Sequence, residues 1–236
     1  MTVVAQRIVS LVPSVTETLA AWGIEPIACT RFCERPDLAT VGGTKNPDVA
    51  AIVALRPDVV VMDRQENRRE DAEALVAAGM TVVDLDVRLL DGLADQLHHL
   101  ATAVGVERPP SDLPTPDEVG ARMRAFVPIW RRPWMTIGGS TYGSSLLAHI
   151  GVENVYADAV GDYPTVELDD VGARSPDVVL VPSEPYAFSE DHLGELADIA
   201  PVRRVDGQDL FWWGTRTPAA IARLTATVAA IGDPHR

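Results

Sequence analysis

An internal repeat constrains the fold of this chain more than any other property of its sequence. Residues 49–62 read VAAIVALRPDVVVM and residues 168–181 read LDDVGARSPDVVLV, so each half carries a helix-like segment, a Pro-Asp pair and an apolar run. Upstream, residues 7–23 and 134–151 each give an apolar segment, a turn, a helical pattern and a closing glycine. The repeat predicts two similar lobes, and the loop tips of such lobes can bind a ligand in the cleft between them.

The order of the predicted elements indicates an α/β fold. Short apolar runs alternate with helical segments, which is the pattern of βαβ units in a mostly parallel sheet. We therefore predict two similar lobes, each a mostly parallel sheet flanked by helices, joined by a helical backbone. The predicted boundaries are 1–87 for the N-terminal lobe, 88–130 for the helical connector and 131–236 for the C-terminal lobe. Two helices, 89–104 and 117–126, are expected in the connector.

Two local signals predict where helices begin in the N-terminal lobe. Ser14 is followed three residues later by Glu17, which is the spacing of a capping box, so Ser14 is expected to be an N-cap. Asp48 is expected to open the helix that runs to Leu55.

The net charge argues against nucleic acid as a partner, and the first residues of the chain indicate the cellular compartment. The formal net charge is −14, whereas a nucleic-acid-binding surface is basic. No apolar run is long enough to insert into a membrane, and residues 1–7 lack the basic and apolar regions of an export signal. These properties predict a cytoplasmic protein. A periplasmic or cell-surface location is the alternative if the chain was trimmed to a mature form.

Several segments together resemble one protein family. They are RIVSLVPSVTETL at 7–19, VGGT at 41–44, IVALRPDVVV at 52–61, YPTVE at 163–167 and ARSPD at 173–177. These segments are similar to those of the helical-backbone, or class III, periplasmic-binding-protein family for cobalamin, ferric siderophores and haem. The resemblance covers nearly the whole chain. It implies a non-catalytic substrate-binding protein of the ABC-importer type, or a cytoplasmic relative, that holds a metal-bearing small molecule.

The resemblance also implies a permease partner, and here the sequence departs from the family. Transport receptors of this family dock through a glutamate on each lobe, and alignment of the motifs places Arg69 and Gly214 at those positions. Glu70 lies next to the first position. A permease partner is therefore doubtful, and a cytoplasmic protein that meets no permease would show the same departures.

Ligands of open parallel sheets bind outside the carboxyl ends of the strands. This rule selects the loops after each predicted strand. In the N-terminal lobe these loops carry Ser14, Phe32, Cys33, Thr44, Asp63, Glu66, Asn67 and Arg68; in the C-terminal lobe they carry Tyr142, Tyr163, Glu184, Tyr186, Trp212 and Trp213. The aromatic rings offer large flat faces to a macrocycle or a catecholate.

Some of these candidates carry two interpretations. In the family, the position of Trp212 lies against the ligand, so Trp212 or Trp213 is expected to do so here, and the other ring to pack on the last helix. Tyr163 occupies a position that is often aromatic in relatives, although it also fits a surface tyrosine held before Pro164. Arg68 offers a planar fork to ligand carboxylates, and the alternative is a solvated helix start.

Cys33 is the one candidate metal ligand. Arg31 and Arg35 flank it and would favour its thiolate, which can bind haem iron or corrinoid cobalt, whereas most single cysteines are buried and inert. A disulfide with Cys29 is disfavoured in a reducing compartment.

Enzymatic function finds little support in the sequence. The turn at Gly138, Gly139 and Ser140 lacks the second glycine of a nucleophile elbow, and no Walker loop or dinucleotide fingerprint is present. The chain is therefore predicted not to be an enzyme and to need no cofactor; cobalamin, haem or a ferric chelate would be its ligand. The alternatives are a corrinoid- or metal-modifying enzyme and a regulatory interaction protein on the same fold.

Overall fold

A computed structural model of the chain describes residues 6–107 and 123–232. Their contacts divide them into two compact units. The first unit contains residues 6–87, 91–107 and 213–215, and the second contains residues 88–90, 123–212 and 216–232. Within the described residues no helix is long and apolar enough to cross a bilayer.

The first unit is built on a five-stranded, wholly parallel sheet. Strands β1 and β6 lie at its centre and are completely buried, as expected of unbroken aliphatic runs. Its elements in chain order are β1 (Ile8–Ser10), α1 (Pro13–Ala21), β2 (Ala28–Cys29), β3 (Ala39–Thr40), β4 (Gly42–Gly43), β5 (Asn46–Pro47), α2 (Val49–Leu55), β6 (Val59–Asp63), α3 (Arg69–Ala77), β7 (Val82–Leu85), a 3₁₀ turn (Leu90–Gly92) and α4 (Leu93–Val104). The sheet order is β3-β2-β1-β6-β7, and β4 and β5 form a separate antiparallel hairpin.

The second unit combines a four-stranded parallel sheet with a small antiparallel one. Its elements are β8 (Met123–Phe126), β9 (Pro128–Trp130), β10 (Trp134–Thr136), α5 (Tyr142–His149), β11 (Val152–Asn154), β12 (Thr165–Val166), α6 (Leu168–Ala173), β13 (Val178–Pro182), α7 (Glu190–Ala197), β14 (Val202–Val205), α8 (Gly207–Phe211) and α9 (Thr217–Gly232). The parallel sheet has the order β11-β8-β13-β14, and the antiparallel sheet has the order β12-β10-β9. The predicted α/β class, with parallel sheets flanked by helices, is confirmed.

The Pro-Asp pair of each repeat has the same structural role in both units. The Asp58 carboxylate accepts the backbone N–H of Arg7 at 2.7 Å, and the Arg7 guanidinium donates to carbonyl groups of Leu55 and Arg56 at the end of α2. In the second unit Asp177 accepts the N–H of Arg124 at 2.7 Å. The Arg124 guanidinium likewise donates to carbonyl groups after α6, those of Arg174 and Ser175. In both units this arrangement joins the end of a helix to the start of a central strand and satisfies terminal carbonyl groups.

This correspondence corrects the predicted register of the repeat. The counterpart of β1 is β8, which pairs in parallel with β11 and β13, and not the segment 134–137. Strand β10 instead pairs antiparallel with β9 and β12. Residues 123–126, predicted as the end of a helix, are extended because pairing with two neighbouring strands outweighs their local helix propensity. The rest of that predicted helix lies outside the described residues.

The predicted helix starts have different outcomes. Asp48 caps α2, since its carboxylate accepts the N–H of Ala51 at 2.9 Å. Ser14 does not cap α1: the helix already begins at Pro13, Val12 occupies the N-cap position, and no side chain bonds there. Proline is favoured in the first helical turn because its missing N–H needs no partner there, so Pro13 sets the start of this helix.

Candidate functional site

The turn after β6 is held together from inside by Asp63 and Asn67. Asp63 is fully buried, and its carboxylate accepts the N–H groups of Gln65 at 2.8 Å and Val87 at 3.1 Å. The buried Asn67 amide accepts the N–H of Asp63 and donates to the carbonyls of Leu11 and Thr44. Both residues were predicted to contact ligand. Their side chains form hydrogen bonds with backbone groups of the protein itself. They therefore fix the conformation of the loop that carries Glu66 and Arg68.

Burial raises the pKa of the Asp63 carboxyl to about 7, with smaller contributions from Glu66 and Asp86, while the two N–H donors lower it. The folded pKa lies above the unfolded one, so folding binds a proton between these two values and stability falls as pH rises toward 7. We expect Asp63→Asn to abolish this loss. The free energy of unfolding in urea should be measured for both proteins at several pH values. The difference between variant and wild type should change in favour of the variant by on the order of 2 kcal/mol from about pH 5 to pH 7. A difference that is constant with pH would contradict the assignment.

The loop after β2 and the β4–β5 hairpin lie next to each other in the first unit. The Arg31 guanidinium lies over the Phe32 ring at 4.8 Å. The Arg31 guanidinium also lies close to Gly43, because a Cβ added to Gly43 would be 3.1 Å from the Arg31 Cζ atom. Lys45 on the hairpin donates to the carbonyl of Gln65 at 2.7 Å, which links the hairpin to the turn after β6. Phe32 is 48% exposed, so this edge presents a ring backed by a cation.

Cys33 is the next residue along the chain after Phe32, and its thiol is buried among hydroxyl groups. Its sulfur is 3.2 Å from the Oγ1 atoms of Thr16 and Thr30. Within the described residues no group of three or more His, Cys, Asp or Glu side chains could hold a metal ion. The predicted metal contact of Cys33 would therefore have to use at most two such side chains.

The start of α3 carries the remaining candidates of the first unit. Arg68 makes a two-point contact with Asp71, at 2.9 Å for both N–H donors, and its side chain is 52% exposed. Arg69 and Glu73 form an exposed ion pair one helical turn apart. Glu66 and Glu70 are exposed as well. This region therefore combines the solvated helix start with an oriented, accessible Arg68 guanidinium.

In the second unit the loops after β13 and β14 hold Trp212 in a defined position. Its indole Nε1 donates to Glu184 at 2.7 Å, and the Arg216 guanidinium lies 5.3 Å from its ring. Arg216 also contacts Gln208 and the buried Asp209 in α8. A Cβ on Gly207 would lie 2.8 Å from the backbone nitrogen of Glu184, so glycine lets these two loops approach. Trp212 is partly exposed and its orientation is fixed by polar contacts.

A second aromatic group surrounds Tyr186. The Trp130 ring meets Tyr186 edge-on at 5.0 Å, and Tyr186 packs on Phe188 at 4.8 Å, which in turn stacks on Trp134. Trp130 is 43% exposed. The predicted ligand residue Tyr163 is also exposed.

Three other aromatic or hydroxyl candidates are buried. Tyr142 donates to or accepts from Thr217 Oγ1 at 2.9 Å, joining α5 to the start of α9. Trp213 is buried and belongs to the first unit with Gly214 and Thr215. Thr44 is buried in the hairpin. These three side chains are therefore less accessible than the Trp212 ring.

The sequence prediction missed four residues that belong to these surfaces. Trp130 was assigned to the connector, and Arg31, Lys45 and Arg216 were not singled out for ligand contact. Cationic side chains next to an aromatic residue, as in Arg31 with Phe32, are a sequence signal that would have found the first. A shallow groove of the second unit, between α6 and α7, contains none of the predicted residues; it is lined by Leu168, Asp169, Gly172, Glu195, Asp198 and Ile199.

Comparison with known proteins supports the resemblance found in the sequence. Residues 8–110 match the family model described as periplasmic binding protein. A vitamin B12-binding protein of Pectobacterium carotovorum is 27% identical over 201 residues, covering 76% of this chain and 72% of that protein. The vitamin B12-binding protein of Salmonella typhimurium is 28% identical over 192 residues, covering 75% and 72%. The chain is therefore similar to periplasmic binding proteins over about three quarters of its length. The resemblance inferred from the short motifs is confirmed.

Solved structures show the same fold. The periplasmic vitamin B12 binding protein of Vibrio cholerae superposes with a TM-score of 0.79 at 21% identity, covering 97% of this chain and 98% of that one. The periplasmic heme-binding protein of Roseiflexus sp. RS-1 gives 0.78 at 20% identity, covering 98% and 100%. The prediction of a cytoplasmic location is wrong, because these relatives are periplasmic. It relied on the first residues alone, which do not determine the compartment.

Proposed function

We propose that this protein is a non-catalytic substrate-binding protein that holds cobalamin in the periplasm and delivers it to an ABC importer. Its preorganised Trp212 is the observation that carries the proposal. A ring held by Glu184 and Arg216 loses little freedom when it packs on a ligand, which favours binding of a large flat molecule. The two vitamin B12-binding relatives favour cobalamin over haem or a ferric siderophore.

The proposed contact residues are those whose side chains are accessible at the carboxyl ends of the strands. In the first unit these are Phe32, Glu66 and Arg68, together with Arg31 and Lys45. In the second unit they are Trp212, Glu184, Tyr186 and Tyr163, together with Trp130. The rings would pack on the corrin, while the arginine and lysine side chains would bind its amide and phosphate oxygens.

The importer would be engaged differently from the family pattern. Gly214 has φ +120°, and a Cβ built there would lie 2.1 Å from Thr18 Oγ1, so no glutamate fits at this position. Glu70 is exposed in the first turn of α3 and takes the place of the first docking carboxylate. We therefore propose that a permease contact uses Glu70 and does not use position 214.

The binding proposal is tested by titration with cyanocobalamin, haemin and a ferric siderophore, followed by tryptophan fluorescence. Cyanocobalamin is expected to quench at the lowest concentration. Trp212→Ala should weaken its affinity by about 2 kcal/mol, roughly 30-fold. Trp212→Phe keeps a ring but loses the bond to Glu184, so an intermediate loss is expected.

The matched control is Val160→Ala, since Val160 is 97% exposed and its loss should leave affinity unchanged. Unaltered affinity in Trp212→Ala would refute the role of this ring. If none of the three ligands quenches, the binding function itself fails. A bound corrinoid whose absorption spectrum changes with time and turnover would favour a modifying enzyme instead.

A further inference from the structure

The two cysteines of the chain lie at one end of strand β2 in the first unit. Cys29 is the last residue of β2, and Cys33 closes the following turn by donating its N–H to the carbonyl of Thr30 at 3.1 Å. Only three residues separate the two cysteines, and this turn brings their side chains close enough for each thiol to be the largest influence on the pKa of the other. Neither cysteine is part of a disulfide in this structure, and both are buried, with 1% of Cys29 and 5% of Cys33 exposed.

The surroundings make the two sulfur atoms chemically different. The Cys29 thiol and the hydroxyls of Thr16 and Thr30 stabilise negative charge on Cys33, so the pKa of Cys33 falls to about 6 despite its burial. The same contact with Cys33, together with burial, raises the pKa of Cys29. Because a thiolate is the attacking species in thiol–disulfide exchange, Cys33 is the nucleophile of the pair and Cys29 is the second thiol.

We propose that Cys29 and Cys33 are a disulfide-forming pair that is oxidised by exchange with an organic disulfide. The Cys33 thiolate attacks one sulfur of RSSR, forming a mixed disulfide and releasing RS⁻. Cys29 then loses its proton and attacks the Cys33 sulfur, which breaks the mixed bond and releases a second RS⁻. The protein loses two hydrogen atoms and RSSR becomes two RSH, so the electrons balance. Once Cys33 carries no negative charge, the interaction that opposed ionisation of Cys29 is gone.

The product would close a short covalent ring around the turn that carries Arg31 and Phe32. This turn is one of the accessible edges of the first unit, with the guanidinium over the ring. A disulfide restricts the chain mainly by removing conformations from its flexible states. Oxidation would therefore reduce the conformational freedom of the turn that holds the Phe32 ring at the surface. The exchange chemistry depends on the two sulfur atoms and does not depend on which ligand the protein binds.

The test uses the full, folded chain and bis(2-hydroxyethyl) disulfide as the oxidant. After incubation at neutral pH the reaction is quenched with acid, and the protein is unfolded, alkylated with iodoacetamide and weighed intact. The expected product is monomeric, carries no alkyl group and is lighter than the reduced protein by two hydrogen atoms. Before oxidation the same protein should take up two alkyl groups, because the chain has two cysteines.

Two single variants define the order of the steps. Cys29→Ser should stop at the mixed disulfide and gain one hydroxyethylthio group on Cys33, while Cys33→Ser should keep an alkylatable Cys29. The proposal is overturned if the oxidised wild type keeps two alkylatable thiols, retains the mixed disulfide, or forms a disulfide between two chains. These wild-type outcomes are decisive even if a serine variant does not fold.

Discussion

Gly139→Ala is expected to destabilise the protein by about 4 kcal/mol, because no space exists for a methyl group at this turn. A Cβ built on Gly139 would lie 2.1 Å from the carbonyl oxygen of Ala157 and 3.1 Å from its Cα. Both opposing atoms are backbone, so relief requires the turn between β10 and α5 to move away from the segment after β11. Urea unfolding followed by circular dichroism would measure the loss as a lower midpoint.

Gly194→Ala in α7 is the matched control within the same unit. No atom lies within 4 Å of a Cβ at Gly194, and alanine is about 0.8 kcal/mol more favourable than glycine inside a helix. This variant should therefore be slightly more stable than the wild type. If both substitutions shift the midpoint equally, the close approach of Gly139 and Ala157 does not exist in the protein.

Asp209→Ala should cost about 3 kcal/mol of stability, because it removes the buried partner of two arginines. The Asp209 side chain is 3% exposed and binds Arg223 through two hydrogen bonds of 2.6 and 2.5 Å. Arg216 lies 3.5 Å away from the same carboxylate. Removing it separates α8 from α9 and leaves Arg216, which is 15% exposed, with less compensation. Chemical denaturation measures the effect directly.

Asp191→Ala, in the exposed first turn of α7, controls for the loss of one negative charge and should change stability by less than about 0.5 kcal/mol. The effect of Asp209→Ala should also persist in high salt, because buried ion pairs are poorly screened. An equally small change for both variants would show that the α8–α9 ion pairs do not stabilise the fold.

The elements that were located correctly from the sequence share one property. Their secondary structure is determined by residues close to one another in the chain. The aliphatic runs of β6 and β13 lie where the repeated segments 49–62 and 168–181 place them. The Asp48 cap is another local interaction, made with a residue three positions away. Such signals are complete within a short window, so no knowledge of the remaining chain is needed to interpret them.

The errors concern residues whose state depends on distant partners. Nothing near residues 123–126 reveals the strands β11 and β13 that pair with β8. Asp63 and Asn67 were predicted to contact ligand, and in the structure they satisfy backbone groups as distant in sequence as Leu11 and Val87. Trp130 looked like part of a connector, and its contact with Tyr186 bridges 56 positions of sequence.

The sequence by itself determined the family resemblance, the α/β class and the repeated Pro-Asp pairs, because these depend on residue type and spacing along the chain. Only the tertiary structure decided that Arg7 and Arg124 are the equivalent residues that complete those pairs. It also decided which aromatic rings are accessible and which polar groups are already bonded inside. The physical reason is that burial and hydrogen bonding are satisfied by groups far apart in the chain, which become neighbours only when the sheets form.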